Sequence, residues 1–499
     1  MNSDHSENHN TFTEETDIIE RQSTAPWRGT LYFDISALLQ YARSNDTLTG
    51  IQRVEILAIS KILERFAEPN LRLIGYHPDD KRVKCWESDF FRQPEIALKE
   101  LSECFKVRRK IKAGSKNLSL KSYIAHKYDP GIKSRFHKLR LRLLNKLNAG
   151  NSYNKRGISF KQAEVLSKGR PEAVLAPLPI TGDIIFVPGA TWSLANYLEY
   201  LTHCSERGIK IVQFIHDLVP LITPEHVVET LPKHFYQWLS TMARIAESFV
   251  VNSQCTGRDL SIFLDEKGFT SKPISVVPLA HEFVSEKITR ANTASPKEFA
   301  KESIINGAIR THVLNASHLP FILCVGTREP RKNMYTLVKA WIELSQELKS
   351  IMPRLVFAGK NGWMNDEFDD ILHMTRNVCG LIKIVEAPND AELEYLYRNC
   401  RFSVYMSYYE GWGLPVGESL WLGRPVLAST AGAVPEVGGA FVDYADPYSL
   451  TDIIAALRLL IIDDNYLASR VAAIQTMQLR SWLDVANDLV EALAAAAKR

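Results

Sequence analysis

No apolar run in the 499-residue chain approaches the roughly 20 residues a helix needs to cross a bilayer. The first twenty residues, MNSDHSENHNTFTEETDIIE, have neither the basic start nor the apolar core of a signal peptide. They read as part of a disordered acidic tail over 1–27. Cysteine is sparse: Cys85, Cys104, Cys204, Cys255, Cys324, Cys379 and Cys400 are odd in number and never in CxxC spacing. That excludes a disulfide framework and a cysteine zinc site, and it fits a reducing cytoplasm. Net charge is also low, at +3. What remains is the composition of an ordinary globular protein, 45% hydrophobic and 23% charged, long enough for two domains.

The small net charge conceals an asymmetry. Residues 106–170 hold 19 Lys or Arg against two acids, Asp129 and Glu164, so the rest of the chain is acidic. Such a block is either a solvated insert or a surface for an anionic partner. Within it RFHKLRLRLLNKL sets Phe136, Leu139, Leu143 and Leu147 at helical spacing among cations. That pattern suits a helix lying on an anionic membrane face. No nucleic-acid recognition motif accompanies the charge, so no nucleic-acid partner is expected.

Strand-like and helix-like segments alternate along most of the chain. TLYFDIS precedes the helical IQRVEILAISKILERF, which Gly50 opens. GDIIFVPGA, KIVQFIHD, SFVVNSQ and PISVVPLAHEF follow with helices between them. The rhythm breaks over 284–312. It then resumes with FILCVGT, RLVFAGK, LIKIVEA, FSVYMS, PVLAS and AFVDY, and ends in the helix WLDVANDLVEALAAAA. Alternation of this kind predicts parallel sheets covered by helices on both faces. The expected architecture is α/β, with two doubly wound Rossmann-like domains facing a central crevice. The N-terminal domain spans 28–290 with the basic insert, the C-terminal one 313–475, and a last helix over 476–499 packs back toward the first.

Ligands of doubly wound sheets bind beyond the carboxyl ends of the strands. EGWGLPVGE (410–418) lies there, after FSVYMS. Gly411 and Gly413 let the backbone bend and approach a ligand, and Pro415 suits the start of a helix. The first amides of that helix favour a phosphate or a sugar hydroxyl. Glu410 and Glu418 bracket the turn, and a cap plus an exposed helix acid is the bland alternative. GTREPRKN brings Arg328, Arg331 and Lys332 together after another strand, either as an anion site or as a solvated loop. His216 and Asp217 end KIVQFI, and Asp217 either orients the histidine or caps the next turn. Ser253 ends SFVVNS and offers either a crevice hydroxyl or turn chemistry.

In combination, EGWGLPVGESLWLGRPVLAST, AVPEVGG, GTREPRKN and AGKNGW resemble the nucleotide-sugar domain of the family 4 retaining glycosyltransferases, which have the GT-B fold. FDIS, TGIQRV, FIHDLVPLITPEH and VVNSQCT resemble the acceptor-side domain of the bacterial polysaccharide mannosyltransferases of that group. The resemblance runs from about 30 to 490, leaving out the tail and the basic block.

It implies a hexosyltransferase using a nucleotide-diphosphate sugar as substrate, with no cofactor and no metal. Glu418 would accept the ribose diol, and Glu410 would lie near the hexose. Gly413, Leu414, Pro415 and Val416 would line the donor. Arg331 and Lys332 would neutralise the leaving diphosphate, with Arg328 as a third contact. His216 would stand near the donor sugar, and Gly50 would let the N-terminal domain approach the diphosphate or acceptor. Arg328 replaces an apolar residue of many relatives, and Trp412 a phenylalanine. No DxD-type pair follows a strand, since NDEFDD reads as a helix start, which agrees with a metal-independent mechanism.

The expected reaction is retaining transfer of mannose from GDP-mannose to a growing, lipid-linked surface polysaccharide, in the cytoplasm at the inner face of the membrane. A GT-B-fold nucleotide-sugar epimerase and a non-catalytic glycan- or lipid-binding scaffold are the alternatives.

Overall fold

The structure, a computed structural model, describes residues 26–27, 29–43, 45, 50–66, 71–77, 82–86, 91, 174–175, 179–284 and 309–499. The acidic segment 1–25, the basic block 106–170 and the connection 285–308 lie outside the described residues. Among the described residues, no helix is long and apolar enough to cross a membrane.

The N-terminal half builds an eight-stranded sheet in the order β4-β3-β2-β1-β5-β6-β7-β8. Its strands are β1 Leu31–Asp34, β2 Leu71–His77, β3 Arg82–Trp86, β4 Val174–Leu175, β5 Ile184–Val187, β6 Lys210–Ile215, β7 Ser248–Val251 and β8 Ile274–Val276. Six of these strands run parallel, but β3 is antiparallel to β2 and β4 to β3. This antiparallel edge departs from the wholly parallel sheet that the alternation predicts. The helices used below are α1 (Ser36–Ala42), α2 (Gly50–Arg65), α3 (Ala195–Glu206), α4 (Leu231–Ile245) and α5 (Gln254–Glu266). Every residue of β1, β5 and β7 is buried, as expected where helices cover both sheet faces. Leu57 and Ile62 of α2 pack on one face, Leu201 of α3 and Leu239 of α4 on the other.

Trp27, assigned above to the tail, is buried, with its ring 5.3 Å from that of Phe66 at the end of α2. The packed chain therefore begins before residue 28. A lone large aromatic in a polar stretch found an apolar seat, a gain that composition averages away.

The second sheet is six-stranded and parallel, in the order β11-β10-β9-β12-β13-β14. It comprises β9 Phe321–Val325, β10 Arg354–Gly359, β11 Ile382–Glu386, β12 Ser403–Tyr405, β13 Val426–Ser429 and β14 Asp443–Ala445. Its helices include α6 (Met334–Leu348), α7 (Asp390–Asn399), α8 (Leu414–Trp421) and α9 (Val434–Gly438). The chain starts at β9, moves outward to β11, then crosses back to β12. The strand order therefore reverses between β9 and β12, and a doubly wound sheet takes its ligand at that switch point.

The terminal helix α10 (Trp482–Lys498) returns to the N-terminal half and packs along α2, and its last carbonyls at Ala496 and Ala497 accept from Lys210 Nζ. A cation at a helix C-terminus is favoured by the macrodipole. One apolar cluster runs through both halves, joining Leu57 of α2 and Leu489 of α10 to Trp412, Val416 and Leu420. Where the chain crosses between halves, the backbone of His281 donates to Arg480 O at 2.9 Å. Arg480 N donates back to His281 Nδ1 at 3.0 Å, and Trp482 N bonds Glu282 Oε2 at 2.8 Å.

Candidate active site

The loops after β9 and β12 meet at the switch point, and their charges interlock. Glu410 is buried, and its Oε1 accepts from Lys332 Nζ at 2.5 Å and from the Tyr405 hydroxyl at 2.8 Å. Its Oε2 lies 2.7 Å from Arg331 Nη1. Burial alone raises a carboxyl's pKa, but Arg331 and Lys332 outweigh it and hold Glu410 down to about 2. Arg331 also bonds the Tyr409 carbonyl at 2.8 Å and Glu329 at 2.7 Å, so its planar fork is fixed from three directions. Lys332 sits 5.0 Å from the centre of the Tyr405 ring and bonds its hydroxyl at 2.8 Å. The result is two cations held side by side by one carboxylate at the carboxyl ends of the two central strands.

The Gly-Trp-Gly turn carries the chain from Glu410 into α8. Gly413 takes φ +125°, which an L side chain rarely adopts. Gly411 is required by crowding instead, since a Cβ there would lie 1.9 Å from the His216 carbonyl oxygen. The two domains thus touch backbone to backbone at this point. Pro415 is the second residue of α8 and has no N–H, and the Val416 N–H already bonds Gly413 O at 2.9 Å. Of the four donor-lining positions predicted from 413 to 416, Gly413 and Leu414 are the ones whose amides the turn can offer.

Glu418 lies one turn further along α8, also buried, and belongs to a separate cluster. Its Oε2 accepts from the Tyr397 hydroxyl at 3.1 Å, and its Oε1 is 3.4 Å from Arg53 Nη1. Burial raises its pKa, and the charge of Arg53 opposes that rise. The other terminal nitrogen of Arg53 bonds Asp390 at the start of α7. Glu410 and Glu418 therefore have different partners and form no dyad.

From the N-terminal domain, His216 is buried, and its Nε2 is 2.7 Å from the Pro188 carbonyl. A carbonyl can only accept, so Nε2 carries the proton and Nδ1 is the acceptor of the neutral ring. Burial lowers its pKa to about 4, which keeps it neutral. Asp217 is half-buried and caps the turn by accepting from Val219 N at 3.1 Å; Pro188, not Asp217, is the group hydrogen-bonded to the His216 ring. Gly50 opens α2 with φ +46° and is exposed, with open space where a Cβ would project.

Two predicted positions play other parts. Ser253 is fully buried as the N-cap of α5: its Oγ accepts from Thr256 N and donates to Thr256 Oγ1, both at 3.0 Å. Turn chemistry takes the hydroxyl's proton and one of its two acceptor sites. Arg328 is 7% exposed and so is no solvated side chain. Its Nη2 bonds Glu386 Oε2 at 2.5 Å and its Nη1 the Gly359 carbonyl at 3.3 Å. It ties the β9 loop to the ends of β10 and β11, apart from the Glu410 cluster.

The sequence reading passed over Arg53, Tyr397, Tyr405, Asp390 and Glu436. Glu436, in α9, reaches across the crevice to the N-terminus of α5. Its two oxygens accept from Gln254 N and Cys255 N at 2.7 Å each, a charge-assisted cap that favours the closed arrangement. Its signal was in the sequence, in the quoted AVPEVGG, but nothing there indicates a partner in the other domain. NDEFDD does start a helix, Asp366–Met374.

Residues 320–459 match the family model described as Glycosyl transferases group 1. The matched segment covers β9 through most of the helix after β14, and so contains Arg331, Lys332, Glu410 and Glu418. Among curated proteins, the chain is 34% identical over 175 residues to O-antigen chain mannosyltransferase B of Escherichia coli, covering 34% of this chain and 45% of the relative. Against the serotype-specific mannosyltransferase WbdA of Escherichia coli it is 24% identical over 243 residues, 49% of this chain and 29% of the relative. The chain thus spans less than half the length of these relatives. Among solved structures, HepE of Anabaena, in complex with UDP and glucose, superposes with a TM-score of 0.53 at 12% identity, over 94% of this chain and all of that one. The arrangement of the two Rossmann-like domains is the GT-B fold.

Proposed function

We propose that the protein is a family 4, retaining, metal-independent glycosyltransferase that moves mannose from GDP-mannose to a growing bacterial surface polysaccharide. The observation that carries this reading is the cluster at the switch point, with Arg331 and Lys332 fixed by one ionised carboxylate beside the N-terminus of α8. A sugar leaving its nucleoside diphosphate places developing negative charge on the departing phosphate. Fixed cations lower that barrier most when they need not reorganise. Glu410 keeps both cations in place before substrate arrives. On diphosphate binding they turn part of their bonding to phosphate oxygens, and Glu410 remains beside the hexose. Neutral His216 offers an acceptor to a sugar hydroxyl, and Glu418 takes the ribose diol. In front-face attack the leaving phosphate itself receives the acceptor proton, so a separate base is unnecessary.

Mannose as the sugar, and a polysaccharide as the acceptor, rest on the similarity to the O-antigen mannosyltransferases. A lipid-linked acceptor and a peripheral site on the cytoplasmic face of the membrane rest on the basic block 106–170.

The test is incubation with radiolabelled GDP-mannose, GDP-fucose, UDP-glucose and UDP-galactose, with and without EDTA, using lipid-linked oligosaccharide as acceptor. Mannose transfer from GDP-mannose that survives EDTA, with an α-linked product by NMR, supports the reading. An isomerised nucleotide sugar without transfer points to an epimerase, and binding without turnover to a scaffold. Removing 106–150 is expected to weaken partition onto phosphatidylglycerol liposomes, most at low salt; unchanged partition rejects the membrane reading.

A further inference from the structure

Arg53 belongs to the N-terminal domain, yet its guanidinium ends among residues of the other domain. It sits one turn inside α2 and is 7% exposed. One terminal nitrogen bonds Asp390 at the start of α7 and the other faces Glu418 on α8, while the planar group lies 5.6 Å from the centre of the Phe283 ring. A lysine could not address both carboxylates in this way, because its charge is a single point.

The bonding at Glu418 is incomplete in an informative way. A carboxylate has about four lone-pair sites. Tyr397 occupies one on Oε2 at 3.1 Å, and Arg53 approaches Oε1 at 3.4 Å, long for a charge-assisted bond. Arg53 is thus close enough to orient the carboxylate and to favour its ionised form, but it leaves acceptor capacity on both oxygens. A vicinal diol needs two such acceptor sites.

We infer that Arg53 is a positioning residue for nucleoside recognition, through which the N-terminal domain holds Glu418 ready for the ribose diol. The inference rests on the proposed reading of Glu418 as the ribose acceptor. It adds that ribose recognition, although its acceptor lies in the C-terminal domain, depends on the other domain being docked.

The test is calorimetric titration of the full chain with GDP, UDP and their 2′-deoxy counterparts. The base bound more tightly by the wild-type chain is used for the comparison. The wild type is expected to favour the ribonucleotide by about tenfold or more, since a site built around a hydroxyl rejects the analogue lacking it. In Arg53→Ala the preference is expected to fall to within about twofold, and Arg53→Lys, which keeps the charge and the aliphatic stem, falls between. If the alanine variant fails to fold, the lysine variant decides alone. Glu418→Gln is expected to lose the preference whatever occupies position 53.

A strong wild-type preference that persists in both Arg53 variants overturns the inference and leaves Glu418 in its role. Equal losses for ribose and deoxyribose ligands also overturn it, because a purely structural salt bridge would act that way. Absence of the preference in the wild type, or no binding of either nucleotide, rejects the reading of Glu418 and the inference together.

Discussion

Lys332 and Glu410 show what can be read from single residues and what cannot. Each stands next to a strand end within a short motif, so their placement at one crevice follows from the strand–helix alternation. Lys332→Ala leaves Glu410 paired with Arg331 alone and removes one cation from the leaving-group site. Turnover with the nucleotide sugar is expected to fall by about 10²–10³ with little change in thermal unfolding; wild-type turnover would remove Lys332 from the mechanism. Arg53 was not legible in this way, because its partners Asp390 and Glu418 lie 337 and 365 residues further along the chain. Tyr397 and Tyr405 were missed for a similar reason: a tyrosine in a helix or strand reads as core until its hydroxyl finds a carboxylate.

A second residue-level expectation concerns Asp34, at the end of β1. It is fully buried beside Glu55, whose two carboxyl oxygens have no hydrogen-bond partner among the described residues. Burial, opposed by its hydrogen bonds from Ser36, raises Asp34 from 3.8 to about 7, and Glu55 is raised as well. The folded protein therefore keeps a proton that the unfolded chain gives up, and stability declines as pH rises from about 4 to 7, by at most about 1.4 kcal/mol per pH unit for each such proton. Asp34→Asn copies the neutral acid and is expected to flatten this slope in urea unfolding measured across that range. An unchanged slope would place the proton elsewhere.

Among the elements, the second sheet was the easiest to anticipate. Its strands are covered by helices on both faces, and they announce themselves as continuous apolar runs such as FILCV and VLAS. β2, β3 and β4 were not found. RVKCW, next to the edge, mixes charged and apolar residues, and the edge strand β4 has two residues, too few for any periodicity. Helix α10 was legible because Trp482, Val485, Leu489 and Leu493 share one face, and all four are buried. Leu489→Ala at the seam with α2 is expected to cost about 2–5 kcal/mol in chemical unfolding. A loss below about 0.5 kcal/mol would mean that α10 is only loosely held.

For the molecule as a whole, the contacts between domains fall into two kinds. Some are apolar and continuous with the core, and others are polar, chiefly Glu436 on the α5 amides and Arg53 on Glu418 and Asp390. Glu436→Gln replaces one accepting oxygen by a donor facing an N–H, so the closed arrangement loses favour. The variant is expected to give a larger radius of gyration in small-angle scattering and a higher KM for the nucleotide sugar. A scattering profile and KM matching the wild type would show that closure does not depend on this cap.

The two chain crossings between the domains, at 281–282 and 480–482, are laced to each other by backbone and side-chain bonds. Two segments bonded to each other at one seam form a single doubled spine between the domains rather than two separate tethers. Opening about that doubled seam is expected to return Arg53 to Glu418 and Gly411 to His216, since both passes of the chain are anchored at one place.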